Sequence, residues 1–534
     1  MKFSGGKVMP VITENTVMEF YLNLVKEDRV QFLIKQKELK KIIIKDIKKL
    51  QKESDIHDKI KTAKDLWKAL FEAAMTYIDP DKHGFDKLFK YFNQFVEFEE
   101  LIFASDSFYR DHTLHCLWVY FLGEYVFHNP EFSSLFINKE REIKNTSKFR
   151  EVLLSLEQPN IFGNFIRQLD NIIGILELDD SIRCVIALAH DLGYPLKKID
   201  KINTEIGKLL PFFAISEFSK FAFEYENIQQ FFLENFLQLI SDDIGMTVDS
   251  SGLEFDEQQL IATYYNRIGQ ISSMIEQEIE PDSQIIQELK DSLDGIPEKE
   301  KYLLRKIFFG KGKIDRSMSQ VLRYANDFEE YKHGIMSSYL LMKLLNSFSN
   351  IQITYSNPND LPLEDLDFAT IYGKMKILKA MADHTSSGYQ ITDFDNYSAQ
   401  LILIDEIEEF SRISRANQYR TFVNQFCKCE LDMSGKCICI DFIFDDDNID
   451  DLDPSIAFKD KCRRFISVFD IPNLTDNISI RFRCIAKLKK DKKIYELQLS
   501  RNHVKISIND VEEKDINKYL KTKEFTRDNY KKIR

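Results

Sequence analysis

The stretch Ser181–Pro195, SIRCVIALAHDLGYP, constrains this chain more than any other. Ile182, Val185, Ile186, Leu188 and Ala189 recur at helical spacing, which predicts a buried helix. The apolar run ends in an adjacent His190–Asp191 pair, and Gly193 and Pro195 then predict the helix stop. Two polar side chains at the end of a core helix need something to satisfy them. A divalent metal would do so, with the imidazole nitrogen as one ligand and the two carboxylate oxygens able to bridge to a second ion. A core histidine beside a capping aspartate would do so as well, and the dipeptide alone leaves both readings open.

Composition decides whether such a helix has a core to enter. The chain has 534 residues, with 44% hydrophobic and 30% charged, as expected of a globular protein of two or three domains. Phe (43) and Tyr (22) are abundant while Gly (18) and Pro (12) are few, which favours a mostly helical chain. A net charge of −13 argues against a general nucleic-acid coat. No apolar run approaches the roughly 20 residues of a membrane span, and the start, MKFSGGKVMPVITENT, has no apolar signal-like segment. With eight Cys in so long a chain, the expectation is a cytoplasmic protein with reduced thiols.

Residues 1–100 read as a helical N-terminal region. In KELKKIIIKDIKKLQKE the isoleucines Ile42–Ile44 and Ile47, with Leu50, form one stripe, and lysines form the other. Such a helix docks by its apolar face; the interleaved acids disfavour a nucleic-acid or membrane role for the lysines. Residues 101–420 hold the histidine motifs. In RDHTLHCLWVYFLG, His112 and His115 lie three apart and Asp111 and His115 four apart, so either pair can share a helix face. A long helical insert is expected over about 203–327, as substrate-pocket material or an oligomer contact. His333–Gly334 then precede one apolar helix, and Asp383–His384 end another. Asp405 sits inside LILIDEIEEF, where an unpaired buried carboxylate would be costly. Residues 421–534 change character: CKCEL, CICIDFIF, ISIRFRCIAKL, IYELQLS and HVKISI alternate as antiparallel strands, with SIAFKDKCRRFISVF as a helix between them. The expected fold is therefore mainly α, with a small α+β C-terminal domain.

Five of the nine histidines fall in these motifs; His57, His83, His128 and His503 do not. The order His115, His190–Asp191, His333, His384, Asp405 resembles the HD-domain metal-dependent phosphohydrolase superfamily, especially a bacterial branch with an RDHxxHxxxVxxLG opening. RDHTLHCLWVYFLG, HDLGYP, KHGIMSSYLL and LILIDEIEEFSR are each similar to motifs of that branch. The resemblance covers about residues 105–415. It implies an all-α HD-domain core in which His115, His190, Asp191 and Asp405 hold one ion. His333 and His384 would be the added ligands of two-metal members, with Asp191 bridging. Fe, Mn, Co, Ni or Zn suits such a shell better than Ca.

The implied activity is hydrolysis of a phosphoester or phosphoanhydride, in a nucleotide, by a metal-activated water. Arg110, Lys197 or Lys198 could hold non-reacting phosphate oxygens, and His112 could protonate the leaving oxygen. The chain departs from two branches. At Asp383–His384 it has one histidine where cyclic-di-GMP phosphodiesterases have two. LGYPLKKIDK lacks the histidine that many deoxynucleotide triphosphohydrolases carry there. A deoxynucleoside triphosphate triphosphohydrolase in nucleotide control or phage defence, and a non-catalytic nucleotide-sensing module, are the alternatives. A homo-oligomer is compatible with the aromatic-rich insert. Finally, Cys427, Cys429, Cys437 and Cys439 form two CxC pairs across a turn and could hold a structural zinc if all four face one side. Core packing explains the period-2 spacing equally well.

Overall fold

A computed structural model describes residues 11–105, 111–132, 135–136, 138–214, 227–247, 254–308, 311–315, 317–349, 368–408, 427–434, 437–445, 455–476, 478–487 and 492–521. The fold is mainly helical with a small α+β region at its C-terminal end. Strand β1 (Val11–Ile12) leads into α1 (Glu14–Lys26), which starts at a Thr13–Thr16 capping box. Helices α2 (Lys37–Leu50), α3 (Ile56–Ile78) and α4 (Phe85–Ser105) follow. The isoleucine stripe of α2 buries Ile43 and Ile47 and leaves the lysine side in solvent.

Next come α5 (His112–His128), α6 (Lys139–Ser155), the long α7 (Pro159–Ala189) and α8 (Tyr194–Leu209). Asp111 starts α5 by accepting the Leu114 amide at 3.0 Å. Helix α5 is buried on nearly every side, as its unbroken apolar sequence requires. Helix α7 ends at the His190–Asp191 pair itself. Pro195 therefore does not stop it; proline in the first turn of α8 needs no amide donor and starts the next helix.

The stretch expected as an all-helical insert contains α9 (Asn227–Ser241), α10 (Phe255–Glu276), α11 (Ser283–Asp294) and α12 (Glu298–Ile307). It also contains a two-stranded antiparallel ribbon of β2 (Asp243–Thr247) and β3 (Lys311–Asp315). The ribbon closes the chain on either side of α10–α12. Those helices build a second apolar core with the N-terminal half of α7, through Ile161, Phe162 and Leu169. The C-terminal half of α7 belongs to the main core, so one helix runs from the outlying lobe to the histidine motifs.

Helices α13 (Met318–Glu329), α14 (His333–Leu344), α15 (Asn346–Ser349), α16 (Phe368–Asp383) and α17 (Tyr397–Ile407) complete the helical part. Beyond it, β4 (Cys427–Ser434) and β5 (Cys437–Asp445) form a hairpin. α18 (Ser455–Val468) then crosses over to β6 (Ser479–Lys487), which lies parallel to β5. Strands β7 (Lys492–Ser500), β8 (His503–Ile508) and β9 (Val511–Glu512) extend the sheet antiparallel, and α19 (Ile516–Leu520) follows. β1 adds to the opposite edge, beside β4, so the order is β1-β4-β5-β6-β7-β8-β9. The N-terminal helices, the histidine-bearing helices and the sheet share one continuous core.

The register settles the cysteine question. Cys429 pairs with Phe442, whereas Cys439 pairs with Asp432. Paired residues share a sheet face and successive residues alternate, so Cys429 and Cys439 lie on opposite faces. A zinc site using Cys427, Cys429, Cys437 and Cys439 together is thereby excluded.

Candidate metal centre

The end of α7 is fixed before its side chains are considered. A helix terminus leaves carbonyls without intrahelical donors. Here the Ile186 carbonyl accepts the His190 amide at 3.0 Å, and the Leu188 carbonyl accepts Trp67 Nε1 from α3 at 2.8 Å. Just beyond, the Leu192 carbonyl accepts the Tyr91 hydroxyl from α4 at 2.6 Å. Trp67 is itself clamped between Phe71 and Phe92, with ring centroids 4.9 and 3.8 Å away. The N-terminal helices thus hold the His190–Asp191 turn from behind.

Two glycines bring the other motifs to that turn. A Cβ on Gly193 would stand 2.5 Å from the His333 carbonyl oxygen, and a Cβ on Gly334 would stand 2.4 Å from the Met381 oxygen and 2.7 Å from His384 Nδ1. The turn after α7, the first turn of α14 and the end of α16 therefore approach more closely than any side chain would permit. The Gly193 amide donates to Ser337 Oγ at 2.6 Å, closing the first contact.

Four histidines and two aspartates converge as a result. Asp191 Oδ2 lies 3.6 Å from His115 Nε2 and 3.4 Å from His190 Nε2. Asp191 Oδ1 lies 3.2 Å from His333 Nε2 and 3.8 Å from His384 Nε2. Asp405 Oδ1 reaches His115 Nε2 at 3.0 Å. An ion bound at about 2.1 Å sets neighbouring ligand atoms roughly 3.0–3.4 Å apart, and these spacings fall around that range. His115, His190 and Asp191 form one buried group that could hold a metal ion; Asp191, His333 and His384 form another.

The tautomers fit the same use. His115 Nδ1 lies 2.6 Å from the buried Glu408 carboxylate, His190 Nδ1 lies 2.8 Å from the Ala187 carbonyl, and His384 Nδ1 lies 3.3 Å from the Met381 carbonyl. Each Nδ1 then carries the proton and each Nε2 presents a lone pair, the arrangement in which metal-ligating histidines are held. Buried His190 Nε2 makes no hydrogen bond among the described residues. Burial lowers the pKa of His190, and burial with the neighbouring His190 and His333 rings holds His384 well below its usual value, which keeps both rings neutral. Burial alone would raise the pKa of Asp191, but His190 and the hydrogen bond with His333 hold it well below the ordinary carboxylate range.

Beside this cluster is a cavity of about 280 Å³ lined in part by His112, Asp191, His333, His384 and Asp405. His112 Nδ1 is held by Glu99 at 2.7 Å, and its ring lies 4.0 Å from that of Tyr194. Of the residues expected at a phosphate, Lys198 lines the cavity. Lys197 does not: one residue earlier on α8 it is rotated by about 100° and stands in solvent. Arg110 lies outside the described residues.

Sequence reasoning missed Glu408, Glu99, Gly193 and Gly334 as determinants of the centre. Only Glu408 left a usable signal, since it stands three residues after Asp405 and shares its helix face. Comparison of the chain with protein-family models, with curated proteins and with solved structures gives no match. No helix among the described residues is long and apolar enough to cross a membrane.

Proposed function

We propose that the chain is a metal-dependent phosphohydrolase of the HD-domain type, with two transition-metal ions sharing Asp191 and a phosphorylated small molecule, most simply a nucleotide, as substrate. The observation that carries this reading is the division of labour at Asp191, whose Oδ2 faces His115 and His190 while Oδ1 faces His333 and His384. His115, His190, Asp191 and Asp405 would hold one ion, and Asp191, His333 and His384 the other. Such a pair supplies a nucleophilic water near neutral pH and neutralises phosphoryl oxygens. The residues around it do the rest. His112, oriented through Nδ1 by Glu99, is placed on the cavity to protonate the leaving oxygen. Lys198, its ammonium 4.9 Å from the Tyr194 ring centroid, offers a positive charge to a phosphate oxygen that the ions do not reach.

The test joins metal analysis to a hydrolysis screen on the full chain, using deoxynucleoside triphosphates, cyclic dinucleotides and single-stranded nucleic acid. The expected result is two ions per chain and hydrolytic turnover abolished by chelation. Asp191→Ala should lose both ions and turnover while keeping its helical content. Release of intact triphosphate would specify a triphosphohydrolase, and tight binding without turnover would make the protein a sensing module. Full turnover by Asp191→Ala would end the proposal.

A further inference from the structure

The C-terminal α+β region sends one side chain into the cavity. Helix α18 rests on the sheet through Phe458 and Phe465, whose rings pack on Phe482 at 5.8 and 5.4 Å between centroids. Its other face carries Lys461 and Arg464, one turn apart, towards α17. Buried Lys461 donates through Nζ to the Glu406 carbonyl, and Arg464 donates through Nε to Glu406 Oε1. Both thus grip the residue next to the candidate ligand Asp405. A lysine at the last carbonyls of a helix also complements its dipole, which ties α18 to the C-terminal end of α17.

Arg464 does more than this tie requires. Its side chain is 47% exposed, and it lines the same cavity as Asp191, His333, His384 and Lys198. Glu406 engages Nε, while the two Nη nitrogens make no hydrogen bond among the described residues. A guanidinium anchored at Nε presents its Nη edge as a ready fork for a pair of phosphoryl oxygens. Glu406 is also a built-in competitor, because it occupies the same cation that an incoming anion would use.

Resting on the phosphohydrolase reading, we infer that Arg464 binds an anionic group of the substrate lying outside the ion pair, so that the C-terminal region completes the active site and Glu406 sets how tightly that group is held. Glu406 positions the guanidinium and lowers its affinity at once. Substrates with a second phosphoryl group then gain from Arg464 and those without one do not.

The experiment measures inorganic pyrophosphate binding to the metal-loaded full chain by calorimetry, with bound metal counted in every variant. Arg464→Gln should weaken pyrophosphate binding about 10- to 100-fold, the range for a charged hydrogen-bonded contact, at unchanged metal content. Arg464→Lys should recover part of the loss. Glu406→Gln should bind pyrophosphate as tightly as the native chain or more so, whereas a purely structural tie predicts that it weakens binding as Arg464→Gln does. Equal affinity in the native chain and Arg464→Gln overturns the inference alone, as does weakened binding in Glu406→Gln with metal retained. A native chain that takes up no metal, or binds no pyrophosphate when loaded, overturns the reading beneath it as well.

Discussion

Two buried polar clusters stand about two turns apart on α7, and they meet the cost of buried charge in different ways. Around Arg183, the guanidinium donates to Glu124 at 3.0 Å, to Asp180 at 2.9 Å and to Asp179. Lys139 adds a second cation to Asp180 at 2.7 Å. Glu124, His128 and Asp180 have the composition and spacing of a metal group, yet Arg183 already occupies their centre. Around Asp191, by contrast, the ion-pair partners are four imidazoles, and burial keeps two of them neutral. The first cluster is a closed protein ion network. The second gathers lone pairs and carboxylate oxygens onto shared points, which a cation would complete.

The sharpest way to break this contrast is to remove the centre of each. Arg183→Met should strand Glu124 in the core, leave Asp180 to Lys139 alone among cations, and cost about 3–5 kcal/mol, read as a fall in the denaturant midpoint. Asp191→Ala, compared with the metal-free native chain, should cost less, about 1–2 kcal/mol, because it leaves imidazoles that can stay neutral rather than stranded charges. Equal destabilisation by the two substitutions would mean that the imidazole cluster is a structural network like the first.

A smaller effect sharpens the contrast from the metal side. Glu408, buried and 2.6 Å from His115 Nδ1, fixes which ring nitrogen faces Asp405. Glu408→Gln keeps the shape but weakens that hold, and should lower metal affinity about 10- to 100-fold in a chelator competition. Unchanged affinity would assign Glu408 to packing.

The two clusters were not equally legible in the sequence. Each side chain of the second cluster lies at or near a helix end or inside an apolar run, which singled out His115, His190, Asp191, His333, His384 and Asp405 one by one, and only the family resemblance joined them into one ligand set. Arg183 sits within the same apolar stretch, but its acceptor Glu124 and Lys139, the second cation on Asp180, are distant in the chain and join the cluster only through packing. Gly193 reads as a helix stop and Gly334 only as a residue ahead of an apolar helix; what requires both is the close approach of the α7 turn, α14 and α16. The choice between Lys197 and Lys198 depended on helical phase, and the cysteine faces depended on strand register, neither of which composition determines. Arg464 was invisible because nothing local predicts that a helix of the sheet region reaches a cavity built on other helices.

Acid offers the mildest test of the closed network. Burial by itself would raise the pKa of Asp180, but Lys139, Arg183 and the Gln31 amide at 2.9 Å bring it down to about 2. An unfolded aspartate titrates near 3.9. A depressed carboxylate stabilises the fold fully above its unfolded pKa and loses that contribution as pH falls through its folded pKa. The window therefore runs from about pH 4 down to about pH 2, and the contribution is on the order of 2 kcal/mol. The imidazole cluster also takes up protons on acidification, so the useful quantity is the difference between the metal-free native chain and metal-free Asp180→Asn, in which the histidines cancel. That difference should be constant above about pH 5 and shrink by about 2 kcal/mol towards pH 2. A difference that stays level across the window would show that Asp180 gains nothing from Lys139 and Arg183, and the closed network would lose one of its three carboxylate anchors.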